Sequence, residues 1–239
     1  MLSRTDPEMS KKDKQVGALM KMKILLISSS PRKEKSSTFS LAKDVLIGLS
    51  QEGADIETIH LDDFRVFFCK HCEECHQNIL HCPLPDDVHV ILKKMLETDG
   101  IILASPNYIN QVTASMKALF DRSAHFIHCK RFLGKYVVGI VSSGSGQDKE
   151  VLDYIKYYAH ICGAQYSGGI SCTAQSIEEN KEEAIKLGRK FAVDIQEGKA
   201  YPDQLELIEK GKQHFSRIVE ARKKEWAGEY QYWRDQGWL

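Results

Sequence analysis

The sequence predicts an α/β fold: a five-stranded parallel sheet between two helical layers, with a cysteine-rich insertion after the second strand and a helical C-terminal extension. Three observations predict it. Apolar runs of strand length recur along the first 200 residues, apolar residues at three- and four-residue steps fill the gaps between them, and the remainder reads as amphipathic helix alone. With 239 residues and a hydrophobic fraction of 42%, the chain can bury a substantial core.

Residues 1–20 are polar and charged without a sustained period, and read as a flexible leader or a docking arm before a domain spanning 21–200. The first strand is "KMKILLIS" (21–28), followed by a helical pattern at 38–52. "ADIETIHL" (54–61) is the second strand; an insertion at 62–87 and a helix near 86–97 come next. The third strand, "DGIILASP" (99–106), precedes a helix at 113–126, and the fourth, "KYVVGIVSS" (135–143), precedes one at 148–161. "AQYSGGISC" (164–172) and a helix at 176–198 complete the alternation. Right-handed crossovers then favour the strand order 2-1-3-4-5, in which ligands bind beyond the carboxyl ends of the strands, near the switch between strands one and three. The loops after strands one, three and four are therefore the candidate site. Residues 201–239 carry Trp226, Tyr230, Tyr232, Trp233 and Trp238, too many large rings to leave in water. They pack on their own subunit or form a dimer contact.

Lysine plus arginine equals aspartate plus glutamate at 33 each, so no global field recruits nucleic acid or an anionic membrane. The start "MLSRTDPEMSKKDKQ" lacks the apolar core of a secretory signal, and no run of eighteen apolar residues occurs. A cytoplasmic protein is the expectation. In a reducing compartment a tight cysteine cluster holds metal or does redox chemistry more often than it forms structural disulfides.

After strand one, "SSSPRKEKSSTFSLAK" (28–43) offers hydroxyls at Ser30, Ser36, Ser37 and Thr38, the charge of Arg32 and the amides of a helix start, which together suit a phosphate. The glycine-rich dinucleotide fingerprint and the P-loop are both absent, and serine and threonine also cap helices that bind nothing. After strand three, "SPNYINQVTASMKALFDR" (105–122) has Pro106 to fix the exit from the sheet and Tyr108 to offer a flat face. After strand four, "SSGSGQ" (142–147) is small enough to admit a ring system. No acid–base constellation accompanies these loops, and no catalytic residue is assigned.

Four of the seven cysteines fall in "CKHCEECHQNILHCP" (69–83), spaced C-x2-C-x2-C-x6-C at Cys69, Cys72, Cys75 and Cys82. Two-residue gaps let thiolates converge on one compact centre, and bacterial ferredoxin runs begin with the same two gaps. Zinc competes, held by four thiolates or by a mixture with His71, His76 or His81, as do free or partly oxidised thiols. The histidines read mostly as exposed neighbours, and Glu73 and Glu74 as charges that lower a cluster's potential. Cys129, Cys162 and Cys172 sit in or beside core elements, where a lone cysteine behaves as a small hydrophobe.

The "SSSPRK" and "SST" of the first loop resemble the phosphate loop of the flavodoxin-like NADPH-dependent FMN reductases, and "SPNYINQVTASMKALFDR" resembles their second signature through Lys117 and the Asp121-Arg122 pair. Ser29 stands where glycine is usual, and Lys35 to Ser37 where glycine and asparagine are. The resemblance covers 22–198 and implies a flavodoxin-like three-layer sandwich holding FMN non-covalently. It places the phosphate against Ser30, Arg32, Ser36, Ser37 and Thr38, and the isoalloxazine against Pro106, Asn107, Tyr108, Asn110, Ser142, Ser143, Gly144, Ser145 and Gly146. The cysteine spacing and the following "PDDVH" resemble the iron-sulfur flavoprotein branch, which implies a [4Fe–4S] cluster on Cys69, Cys72, Cys75 and Cys82, a ferredoxin-like donor, a small-molecule acceptor, and a homodimer or homotetramer. The alternatives are an NAD(P)H-dependent FMN or quinone reductase whose cysteine loop is structural, and a redox or metal sensor acting as a binding module.

Overall fold

The computed structural model describes residues 21–239; the leader expected over 1–20 lies outside the described residues. Strands β1 (Lys23–Ser28), β2 (Asp55–His60), β3 (Gly100–Pro106), β4 (Tyr136–Ser143) and β5 (Gln165–Thr173) form one parallel sheet in the order β2-β1-β3-β4-β5. Central strands β3 and β4 are buried at every position, as continuous apolar runs covered on both faces should be, whereas edge strand β2 is largely open. On β1 the period of two sends Ile24 and Leu26 to one core and Leu25 and Ile27 to the other.

The first core is covered by α1 (Ser37–Gln51) and α7 (Lys181–Gln196), the second by α3 (Val88–Leu96), α4 (Ala114–Arg122), α5 (Ala124–His128) and α6 (Lys149–Cys162). This is the three-layer, flavodoxin-like sandwich. The insertion after β2 carries a 3-10 turn at Leu61–Asp63 and one short α-helix among its described residues, α2 (Glu74–Gln77). The helix expected at 113–126 is instead two, α4 and α5. Ser123 breaks it: its hydroxyl donates to the Phe120 carbonyl at 2.8 Å and pairs with the Tyr158 hydroxyl at 2.7 Å, while its backbone leaves the helical region. The last helix before the extension likewise starts late, at Lys181, after a 3-10 turn at Glu178–Asn180.

Helices α1 and α7 touch through glycine. A Cβ on Gly48 would lie 2.1 Å from the Ile185 carbonyl oxygen, and one on Gly188 would lie 2.0 Å from that of Val45. Both clashes are with backbone, so neither can be relieved by a rotamer change. Gly188→Ala is expected to push the helices apart and cost about 1–3 kcal/mol, read as a lower urea midpoint with an unchanged m-value.

The extension is helical, α8 (Pro202–Ala221) with proline in its first turn and α9 (Ala227–Asp235). It packs on its own subunit. Trp226, Trp233 and Val219 join Cys129 in a third core, with Phe215, Tyr230, Tyr232 and Trp238 packed around it. Gly228 lets α9 lie directly on the cysteine loop, since a Cβ there would meet the Gln77 carbonyl oxygen at 2.2 Å. Among the described residues no helix is long and apolar enough to cross a membrane.

Candidate functional site

The loops after β1, β3 and β4 converge because these strands are neighbours. Ser29 ties the first loop to β3 through its amide and hydroxyl, which donate to the Ala104 carbonyl at 3.0 and 3.2 Å. The Asn107 amide donates to the Ser142 carbonyl at 2.8 Å, and its side-chain amide to the carbonyls of Gly146 and Gln147, each at 3.1 Å. Thr38, in the first turn of α1, shares a 2.6 Å hydrogen bond with Ser142. Residues from all three loops thus form one connected rim.

Within that rim Ser30, Ser36, Thr38, Pro106, Ser142 and Ser143 are buried, Ser37, Asn107 and Gly146 half-buried, and Arg32, Tyr108, Asn110, Gly144 and Ser145 exposed. Ser36 occupies the N-cap of α1 in extended geometry, yet its side chain makes no capping bond. Its hydroxyl oxygen is buried without a partner, as is that of Ser28. A helix start with idle amides and buried unpaired hydroxyls is chemically suited to a phosphate. Beyond β3, Tyr108 and Gln111 exchange backbone hydrogen bonds across a tight turn whose central residues, Ile109 and Asn110, have φ of 53° and 55°. That conformation is costly for a β-branched residue, and Ile109 is fully exposed there.

The cysteine loop is curled by left-handed backbone at His71, Glu73 and Leu80. Cys69, Cys72, Cys75 and Cys82 consequently line one cavity of about 650 Å³, two of them exposed and two half-buried. The His71 amide donates to Cys69 Sγ at 3.4 Å, and Arg122 Nη2 donates to Cys82 Sγ at 3.2 Å. Burial above all, then the Glu229 charge and the other three thiols, push the Cys75 thiol up to about 12, a shift that a bound cation would reverse.

Two anchors hold this loop. Arg122, at the end of α4, forms a fully buried ion pair with Asp86, Nη1 at 2.5 Å from one oxygen and Nη2 at 3.0 Å from the other, and also donates to the Phe67 carbonyl at 2.7 Å. From the extension, Arg222 pairs with Glu73 at 2.7 Å and Trp226 Nε1 donates to the same carboxylate at 3.3 Å. The Arg222 hydrogen bond leads in holding the Glu73 carboxyl below its ordinary range. Glu73 is therefore a compensated charge, which offsets the lowering of a cluster's potential expected of it from sequence.

His76 also departs from expectation. It is buried, and its Nδ1 lies 2.5 Å from the carboxylate of fully buried Glu229; His128 Nδ1 meets that carboxylate at 3.0 and 3.2 Å. His71 and His81 are exposed as expected. Burial would raise the Glu229 carboxyl, but hydrogen bonds to His128 and His76 overcome it and hold it low. Nothing in the sequence marks this trio: His76 and Glu229 are 153 positions apart.

Residues 22–177 match the model of the family described as NADPH-dependent FMN reductase. An iron-sulfur flavoprotein of Methanosarcina thermophila is 31% identical over 195 residues, covering 80% of this chain and 99% of that protein. The chain belongs to the iron-sulfur flavoproteins of the NADPH-dependent FMN reductase family. Similarity to the iron-sulfur flavoprotein MJ1083 of Methanocaldococcus jannaschii reaches 45% over 102 residues, 43% of this chain and about half (52%) of that one. A solved archaeal flavodoxin superposes with a TM-score of 0.52 at 15% identity, over 73% of this chain and 99% of its own, and shares the fold. As a member of the family, the chain is an FMN-dependent oxidoreductase.

Proposed function

We propose that this iron-sulfur flavoprotein holds FMN across the loops after β1, β3 and β4 and a [4Fe–4S] cluster on Cys69, Cys72, Cys75 and Cys82, and moves electrons between a ferredoxin-like donor and a small-molecule acceptor. The observation that carries this reading is the curled cysteine loop: its four cysteines line one cavity, and the His71 amide and the Arg122 guanidinium of α4 donate to two of the sulfurs. FMN handles electrons singly or in pairs and an iron-sulfur cluster handles them one at a time, so together they couple the two regimes.

The chain's own residues bind and place both groups. Ser30, Ser36, Ser37, Thr38 and Arg32 receive the phosphate at the start of α1. Pro106, Asn107, Tyr108 and Asn110 border the isoalloxazine from the second loop, and Ser142, Ser143, Gly144, Ser145 and Gly146 from the third. Arg122 donates to Cys82, and a cationic donor on a cluster sulfur raises its reduction potential. Helix α4 runs from Ala114, beside the second loop, to Arg122 at the cysteines, so its nine residues separate the two regions by about 13 Å at 1.5 Å per residue. A homodimer or homotetramer, as the family resemblance implies, completes the proposal.

An anaerobic ultraviolet–visible spectrum with iron and acid-labile sulfide assays tests it. Flavin bands on a broad iron-sulfur shoulder are expected, with a cluster signal in low-temperature electron paramagnetic resonance after dithionite. Cys72→Ser is expected to abolish that signal and the sulfide content while FMN stoichiometry holds. Zinc at the cysteines without sulfide would end the cluster assignment. Rapid bleaching of the flavin by NAD(P)H, equal in wild type and Cys72→Ser, would favour the plain reductase.

A further inference from the structure

The geometry points to a second metal site, beside the four cysteines and sharing their cavity: a divalent transition-metal site formed by His76, His128 and Glu229. The three side chains come from three separately folded segments, the cysteine loop, α5 and α9, and one ligand atom from each lies within 4.8 Å of the others. The His76 and His128 rings stack at 4.9 Å with 17° between their planes, so both Nδ1 atoms address the same carboxylate. Two imidazole nitrogens and a carboxylate oxygen form a borderline-soft set that suits zinc or ferrous iron and disfavours calcium or magnesium.

The surroundings leave room for an ion beside the hydrogen-bonded triad. His76 and His128 also line the cavity of about 650 Å³, which leaves a route in and room for further ligands such as water. His125 lies three residues before His128 on α5 and is buried, with neither ring nitrogen hydrogen-bonded among the described residues. An unpaired buried imidazole three residues from His128 calls for a partner, which an ion with its bound water supplies. Trp226 packs over both ligand histidines, 4.8 Å from the His76 ring and 4.6 Å from that of His128, and shields one side. A metal here would pin α9 to the cysteine loop through a bond to each.

The inference does not rest on what the cysteines hold, and the test keeps the two apart. Anaerobically purified full-length protein, dialysed against chelator, is titrated with Zn²⁺ by calorimetry and then studied by zinc-edge X-ray absorption. One zinc per chain is expected in a shell of nitrogen and oxygen at about 2.0–2.1 Å, distinct from any zinc that the cysteines hold with sulfur at about 2.3 Å. His128→Ala and Glu229→Gln should each weaken binding by at least the roughly 10–100-fold that loss of an outer-shell partner costs, with iron content and far-ultraviolet circular dichroism unchanged. Should Glu229→Gln fail to fold, His128→Ala, at the partly open end of α5, and the wild-type absorption spectrum still decide. No zinc uptake, a shell of sulfur alone, or full affinity in the variants would overturn the site and leave a hydrogen-bonded clasp.

Discussion

Asp86→Ala is expected to destabilise the protein by about 3–5 kcal/mol, the cost of leaving one half of a buried ion pair unpaired. Both side chains of the Asp86–Arg122 pair are essentially inaccessible. Asp86 also accepts from the Phe67 amide at 2.7 Å and the Val88 amide at 3.3 Å, so its loss strands backbone donors as well as the guanidinium. The consequence should concentrate in the cysteine loop, because Arg122 bonds the Phe67 carbonyl and Cys82 from the same guanidinium. Urea denaturation should show the lower midpoint, and hydrogen exchange should rise most in the segment from Phe67 to Cys82. Asp86→Asn, which keeps the shape and part of the bonding, should cost less. The double variant Asp86→Ala with Arg122→Ala should cost less than the sum of the singles. Burial pushes the Asp86 carboxyl up, and the Arg122, Phe67 and Val88 hydrogen bonds bring it down past its ordinary value. Because the folded value lies below the unfolded one, this contribution is present above the ordinary aspartate range and fades as pH falls through the depressed folded value. A cost equal to that of an exposed pair would show that the anchor carries no load.

What the sequence made legible was whatever repeats locally. The runs that became β1, β3 and β4 are buried on both faces, so apolar content alone marks them, and strand order follows from the alternation with helices. The three loops could be placed together because strand order puts their exits side by side. Contacts between distant segments left no such trace. The break between α4 and α5 depends on Ser123 meeting Tyr158, and the clasp on the cysteine loop depends on Glu73 meeting Arg222, 149 positions away. The aromatic tail was legible as a surface needing a partner, but the partner, a third core around Cys129, is a product of folding. Glu229 looks like one more charge on an amphipathic helix, and only the fold buries it.

Ser36→Asp is expected to weaken FMN binding on the order of 10³-fold while leaving the apoprotein as stable as before or more so. The two effects part because the position plays two roles. As the N-cap of α1, with φ of −82° and ψ of 136°, residue 36 can be aspartate as readily as serine, and a negative charge there favours the helix dipole by about 0.3–1 kcal/mol. Serine leaves that opportunity unused, since its hydroxyl makes no capping bond and is buried without a partner. A phosphate at the helix start would take up those idle groups. An aspartate carboxylate would occupy the same amides and face the phosphate at close range, where like unit charges about 4 Å apart repel by about 4 kcal/mol at an effective dielectric of 20. At about 1.4 kcal/mol per decade that repulsion is the thousandfold loss. Riboflavin, which lacks the phosphate, supplies the control: fluorescence titration of the apoprotein should show its affinity nearly unchanged. If riboflavin and FMN weakened alike, the substitution would have damaged the ring site instead, and the phosphate would have to be assigned elsewhere. If neither weakened, the start of α1 would be an ordinary helix cap.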